Sequence, residues 1–221
     1  MADVCPLCGG SGKRIFKSIH GQTEMPKTSV QWCLCTKSRI VSDSPDCRLL
    51  AYLGDAYPEK INKELVLDIN DLGKNPNLLI TGHFDTFRLN IKGVVMNYRF
   101  HPSQPRIYCC YAIDLLRNFY VKQEEFSMSD VEQFELLVFS LGTKEKNLQL
   151  NTVINQVVYS RLKCRRPTWV YMPTVQLNEC IQEYSSELEE HFKQYKKIRI
   201  EADGIITDRS QSKNEATNFS L

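Results

Sequence analysis

Between residues 77 and 203 the chain alternates short apolar runs with stretches of helical period, and few folds accept that order. Runs at 78–81, 106–111, 134–141, 168–172 and 197–201 read as strands. The first is followed by a helical pattern that places Ile91, Val94, Val95 and Tyr98 on one face. The second is followed by Leu115, Leu116 and Phe119 at helical spacing, and the third by a long helix carrying Leu150, Val153, Ile154, Val157 and Val158. Residues 176–194 read as one or two short helices. Strands without polar alternation, separated by helices, imply a parallel sheet covered on both faces, an α/β fold. Upstream, residues 47–76 form a connector whose Leu49, Leu50, Tyr52 and Leu53 are expected to pack on the main domain. Downstream, residues 204–221 are polar and aperiodic and read as a flexible tail.

Composition sets the limits. A chain of 221 residues with 42% hydrophobic content buries one main core and leaves material for a small appendage. A net charge of +2 supplies no overall field towards nucleic acid or anionic lipid. No apolar run approaches the roughly 18 residues that span a bilayer. The opening MADVCPLCGG lacks the basic and apolar regions of a signal peptide, so a cytoplasmic protein without a membrane partner is expected. In that compartment nine cysteines point to metal ligation plus reduced thiols rather than disulfides.

Four cysteines form two close pairs, Cys5-Pro-Leu-Cys8 and Cys33-Leu-Cys35. A Cys-x-x-Cys turn sets two thiolates at the separation that tetrahedral zinc needs, and a second pair completes four sulfur ligands. Gly9, Gly10 and Gly12 allow the positive φ angles of a tight knuckle and turn backbone N–H groups towards sulfur. Zinc on Cys5, Cys8, Cys33 and Cys35 is therefore expected, in an arm spanning 1–46 that ends at the polar turn SDSPD. The Cys33-x-Cys35 spacing is tighter than usual. Cys109, Cys110 and Cys164 lie in or beside apolar segments and are expected to pack as small hydrophobes.

The stretch NLLITGHFDTFRLNIKG, residues 77–93, has the layout of a phosphate-binding loop: a buried strand, a breaking glycine, a helix. Where that pattern requires Gly, Lys and Ser/Thr after Gly82, the chain has Phe87, Arg88 and Leu89. Phe87 puts bulk where backbone must approach phosphate, so the pocket is expected to be filled. Arg88 retains a positive charge near a helix N-terminus, where it could hold an anion.

The combination CPLCGGSGK…WCLC, NLLITG and FELLVFSLGTKEKNLQLNTVINQVVYSRLKCRRPTWVYMPT resembles bacterial replicative-helicase loaders and the related ATP-binding proteins of insertion-sequence transposition, which are AAA+ ATPases with a zinc-binding arm. The resemblance spans roughly residues 5 to 200 and implies an AAA+-like domain over 77–203. It also implies acidic residues at the end of the third strand, where Phe139 and Ser140 stand, and a polar triplet after the fourth, where Tyr171, Met172 and Pro173 stand. Phosphoryl transfer needs a lysine, a hydroxyl, a metal-holding acid and a polar water-orienting group, and none is at its place. The expectation is a pseudo-ATPase, not an enzyme, acting as a zinc-binding assembly factor or loader-like subunit in DNA replication or transposition. An active or trans-acting ATPase with substituted motifs, and a zinc-dependent nucleic-acid-binding or chaperone-like module, remain the alternatives. RLKCRR places Arg161, Lys163, Arg165 and Arg166 at a helix end, either as dipole complementation or as a contact for a protein partner or DNA. The implied partner is an ATPase or helicase subunit, in a hetero-oligomer.

Overall fold

A computed structural model describes residues 5, 7–9, 11–18, 27–54, 56–58, 63–68, 71–103, 105–121, 126–141, 148–172, 186–203 and 206–208. In chain order the elements are β1 (Lys13–Ser18), β2 (Lys27–Trp32), α1 (Leu34–Ser42), β3 (Leu78–Gly82), α2 (Phe84–Arg99), β4 (Ile107–Tyr111) and α3 (Ala112–Val121). They continue with α4 (Met128–Gln133), β5 (Leu136–Ser140), α5 (Leu148–Lys163), β6 (Thr168–Tyr171), α6 (Ser186–Phe192), β7 (Lys196–Ile200) and β8 (Ile206–Asp208). The main sheet runs β4-β5-β6-β3-β7-β8, parallel from β4 to β7. β8 is antiparallel to β7. β1 and β2 form a separate antiparallel hairpin.

The apolar runs lack polar alternation because both faces of this sheet are buried. Leu79, Cys110, Leu137, Phe139 and Val170 face one core with α3, α4, α5 and α6. Their chain neighbours Leu78, Ile80, Cys109, Val138 and Trp169 face a second core with α1, α2 and the connector. Each buried leucine or valine contributes about 1.5–3 kcal/mol relative to exposure, so these runs dominate the stability of the domain. The α/β fold with helices on both faces is thus observed, and five expected strands lie within a few residues of where the sequence placed them.

Three segments outside the expected 77–203 domain join it, the connector as expected except for Tyr52, which is exposed. Val41 of α1 is fully buried in the second core, so the domain begins before residue 46. The connector enters the same core through Cys47, Leu49, Leu50, Leu65 and Leu67. A 3-10 segment, Pro45–Leu50, packs along edge strand β4, and Tyr98 of α2 both donates to and accepts from the backbone of Leu67. The start of the expected tail contains β8, whose backbone extends the sheet beyond β7. Among the described residues no helix is long and apolar enough to cross a membrane.

Two sequence assignments fail on burial. Arg161 is fully buried, and its guanidinium donates to Thr168 Oγ1 at 2.8 Å and to the carbonyls of Val131 at 2.6 Å, Phe134 at 2.9 Å and Pro167 at 2.6 Å. It ties the end of α5 to the end of α4 and the start of β6, and it is not available to a partner. Burial draws its pKa down to about 9, still high enough to keep it charged at neutral pH. Cys164, expected to pack as a hydrophobe, is exposed one residue beyond α5, whereas Cys109 and Cys110 are buried in β4. Arg161→Leu, which strands three carbonyls and a hydroxyl, is expected to lower the unfolding free energy by about 2–4 kcal/mol in urea titrations. Arg161→Lys should not rescue it, because one ammonium cannot span four acceptors. Lys163→Ala should stay within about 0.5 kcal/mol of the parent.

Candidate functional site

The four arm cysteines converge. Their sulfur atoms all lie within 4.8 Å of one another, with Cys5 Sγ 3.9 Å from Cys33 Sγ and Cys8 Sγ 3.7 Å from Cys35 Sγ. A zinc–sulfur bond of about 2.3 Å in a tetrahedron gives sulfur–sulfur edges of about 3.8 Å, so the donor set fits zinc. Local backbone explains the placement. Gly9 N–H donates to the Cys5 carbonyl at 2.9 Å and Gly9 has φ of 54°, closing the first turn. Gly12 has φ of 72°, and a Cβ there would lie 2.8 Å from Thr36 Oγ1, so the chain can pass α1 only as glycine. Cys33 N–H then donates to the Gly12 carbonyl at 2.9 Å, joining the two halves of the site.

The tight Cys33-x-Cys35 spacing follows from where the helix starts. Cys33 is the N-cap of α1, so Cys35 sits in its first turn and both sulfurs lie at the positive end of the helix. Desolvation, with a smaller contribution from hydrogen bonds among the four thiols, pushes the Cys35 thiol up to about 12. A bound metal would supply the positive charge that offsets this burial at Cys35.

At the carboxyl edge of the main sheet, where open α/β folds bind ligands, the geometry is different. β3 ends at Gly82 and α2 begins at Phe84, so His83 alone connects them. His83 caps α2: its Nδ1 accepts from Thr86 N–H at 3.3 Å and its carbonyl accepts from Phe87 N–H at 3.0 Å. Asp85 adds a negative charge to the same turn. Phe87 therefore lies within the helix, fully buried, stacked on Tyr171 of β6 with ring centroids 4.5 Å apart. Phe84 leans on the same ring at 5.0 Å, and the Tyr171 hydroxyl donates to the Gly82 carbonyl.

Arg88 does not stand free. Its Nε donates to the Leu49 carbonyl at 2.8 Å, a second nitrogen reaches the Ala51 carbonyl, and the guanidinium lies 5.5 Å from the Phe84 ring. It satisfies the connector's backbone, which corrects the expectation of an anion-holding charge there. Leu89 is half-buried in the same helix. Phe139 belongs to the first core, and among the described residues Ser140 Oγ donates to its neighbour's carbonyl at 3.4 Å. The acid that sequence reasoning passed over is Asp114: nearly buried, it accepts from Tyr111 N–H at 3.2 Å and pairs with Arg48 at 2.8 Å. No motif marks it, because its partner comes from the connector.

Of the basic cluster, Lys163 and Arg165 are exposed and Arg166 is half-buried, leaving three cations outside without Arg161. Arg165 has φ of 53°, the left-handed cap position of α5, with Arg166 N–H donating to the Arg161 carbonyl at 3.0 Å and Arg165 N–H to that of Leu162 at 3.1 Å.

No protein-family model and no curated protein matches the chain. Solved structures similar to it include AMPPCP-bound DnaA from Aquifex aeolicus, with 13% identity and a TM-score of 0.46 over 58% of this chain and 41% of that one. The DnaC helicase loader matches at 10% identity and 0.45, over 59% of this chain and 81% of that one. DnaI matches at 15% and 0.46, over 61% and 76%. The chain spans less than half of the DnaA structure. These likenesses are remote and carry no functional inference by themselves.

The metal centre generates a direct expectation. Protein purified without chelator should carry about one zinc per chain, and Cys8→Ser with Cys35→Ser should abolish it. Chelation should remove the β1–β2 amide signals from a nitrogen–proton NMR spectrum while leaving those of β3, β5 and β6, because a two-stranded hairpin is marginal without a staple.

Proposed function

We propose that the protein is a non-catalytic, AAA+-like zinc-binding assembly factor, a loader-like subunit in DNA replication or transposition that grips a protein partner of ATPase or helicase type. The observation that carries the non-catalytic part is the one-residue junction between β3 and α2 with Phe87 stacked on Tyr171. A phosphate-binding loop needs several residues whose N–H groups converge on a phosphate. Here the Thr86 and Phe87 amides are answered by the His83 ring and carbonyl, and an aromatic pair packs between α2 and β6. Lysine, hydroxyl and paired acid are replaced by Arg88, Leu89, Phe139 and Ser140, so transition-state charge would meet no compensating group.

For the partner-binding part, support comes from the arm and from Arg165. A non-glycine residue in the left-handed region is strained, and such strain concentrates where a side chain is needed for contact. Lys163, Arg165 and Arg166 then form a basic face suited to an acidic partner surface. DNA is the competing ligand for that face, and it predicts a steep fall of affinity with salt for every sequence tested.

Two outcomes are expected. Steady-state assays with Mg²⁺ and ATP should show no turnover. Hydrolysis abolished by Arg88→Ala would instead establish the ATPase alternative. Arg165→Gly should raise the unfolding free energy by about 0.5–1 kcal/mol, because glycine relieves the left-handed strain. The same variant should weaken recovery of the native partner in copurification. Stabilisation with unchanged recovery would make the arginine a helix cap and nothing more.

A further inference from the structure

One cavity on the described surface lies apart from both the metal centre and the carboxyl edge of the sheet. It is a groove of about 970 Å³ along edge strand β4, bounded by the end of the zinc hairpin, the 3-10 segment, α2, α3 and the approach to α4. Its apolar lining is mixed: the aliphatic Ile40, Val95, Ile107 and Val121 stand beside aromatic residues, and Val121 is the most exposed of the four at 79%. Its rim is cationic, with Arg48, Arg99, Arg106 and Arg117 against two acids, Asp46 and Asp130. Asp130 is already engaged, accepting from the Ser127 backbone N–H and hydroxyl as the capping box of α4.

Three of the rim arginines, Arg48, Arg99 and Arg106, retain unused donors. Arg48 spends one nitrogen on Asp114, Arg99 one on the Ser44 hydroxyl and Arg106 one on Gln133. A guanidinium carries five N–H groups, so each has further donors for a carboxylate. The aromatic rings nearby are occupied. Lys13 lies 5.1 Å from the Trp32 ring and Lys37 lies 5.1 Å from that of Phe100. Tyr108 is stacked on Phe134 at 4.9 Å and tilted against Phe126 at 5.7 Å. Single-stranded nucleic acid needs a cationic track with open aromatic faces on which bases stack. This groove has the cations, but its rings already have cationic or aromatic neighbours, and its most exposed apolar residue is the aliphatic Val121. An apolar floor with a charged rim is the form of a helix-in-groove site.

We propose that this groove receives an acidic amphipathic helix from a protein partner, its apolar stripe on Ile40, Val95, Ile107 and Val121 and its carboxylates on the rim arginines. The proposal rests on the partner-binding reading above and names where such a partner docks. Trp32, which lines the groove, immediately precedes Cys33 of the cysteine cluster, so loss of a metal there should weaken docking.

The protein contains two tryptophans, and Trp169 is 1% exposed with its indole N–H bonded to the Pro76 carbonyl. Ligand-induced fluorescence changes therefore report Trp32. The test selects random displayed peptides of about 15 residues, roughly four helical turns, against the zinc-loaded full chain. Synthetic versions of the winners are then titrated while Trp32 fluorescence is followed. The expected result is enrichment of Asp and Glu around apolar residues at i, i+3, i+4 and i+7, with affinity falling about tenfold in Arg117→Glu and in Val121→Asp. Both positions are exposed, and thermal midpoints identical to the parent exclude unfolding. Selected peptides without acidic excess, affinities unchanged in both variants, or an oligothymidylate that moves Trp32 at lower concentration than the peptides would each overturn the proposal. If the native partner still copurifies with both variants but is lost when the arm cysteines are replaced, the partner reading stands and the groove is not its dock.

Discussion

The close approach of β3 to β7 governs what the rest of the domain can do. A Cβ on Gly82 would lie 2.1 Å from the Ile200 carbonyl oxygen, so glycine alone permits this contact. The same carbonyl accepts from His83 N–H at 2.8 Å, while on the other side Tyr171 donates to the Gly82 carbonyl. The end of the central strand is thus held by both neighbours, and the chain has one residue in which to turn into α2. Helix geometry then delivers Phe87 one turn later onto Tyr171, and Arg88 onto the connector's carbonyls. The filled site and the docked connector are two consequences of one constraint.

The cysteine arm is coupled to that domain through α1. Cys33 caps the helix and Cys35 lies in its first turn, while Val41 near its other end is buried with Leu49 and Leu50. Ser38 and Ser42 of α1 and Lys92 of α2 all donate to the Gly54 carbonyl, so one backbone oxygen ties helix, connector and domain together. A metal on the four cysteines would organise a hairpin too small to stabilise itself, and the helix would transmit that order to the core. This is why Trp32, at the end of β2, can form part of a groove otherwise built from the domain.

Much of this was legible in the chain, and the limits have physical causes. Apolar runs buried on both faces announce a parallel sheet, because period and burial act locally. The cysteine pairs were legible for the same reason: short spacing fixes short distance. Arg161 was misread because RLKCRR looks like a solvated helix end, and nothing local says that Thr168 and three carbonyls from α4 and β6 will surround it. Asp114 and Arg48 were invisible as a pair because the connector brings them together across the sheet edge. The groove escaped notice altogether, since its walls come from segments between Trp32 and Phe134 that no linear pattern links.

The central claim, that aromatic packing and a one-residue junction have replaced a nucleotide site, is tested most directly by watching that junction. Backbone NMR signals of Gly82, His83, Thr86 and Phe87 should not move when MgATP or a non-hydrolysable analogue is added to millimolar concentration. Saturable shifts centred on those four residues, at micromolar ligand and lost in Arg88→Ala, would mean that the junction opens into a phosphate-binding loop, and the account would be wrong at its root.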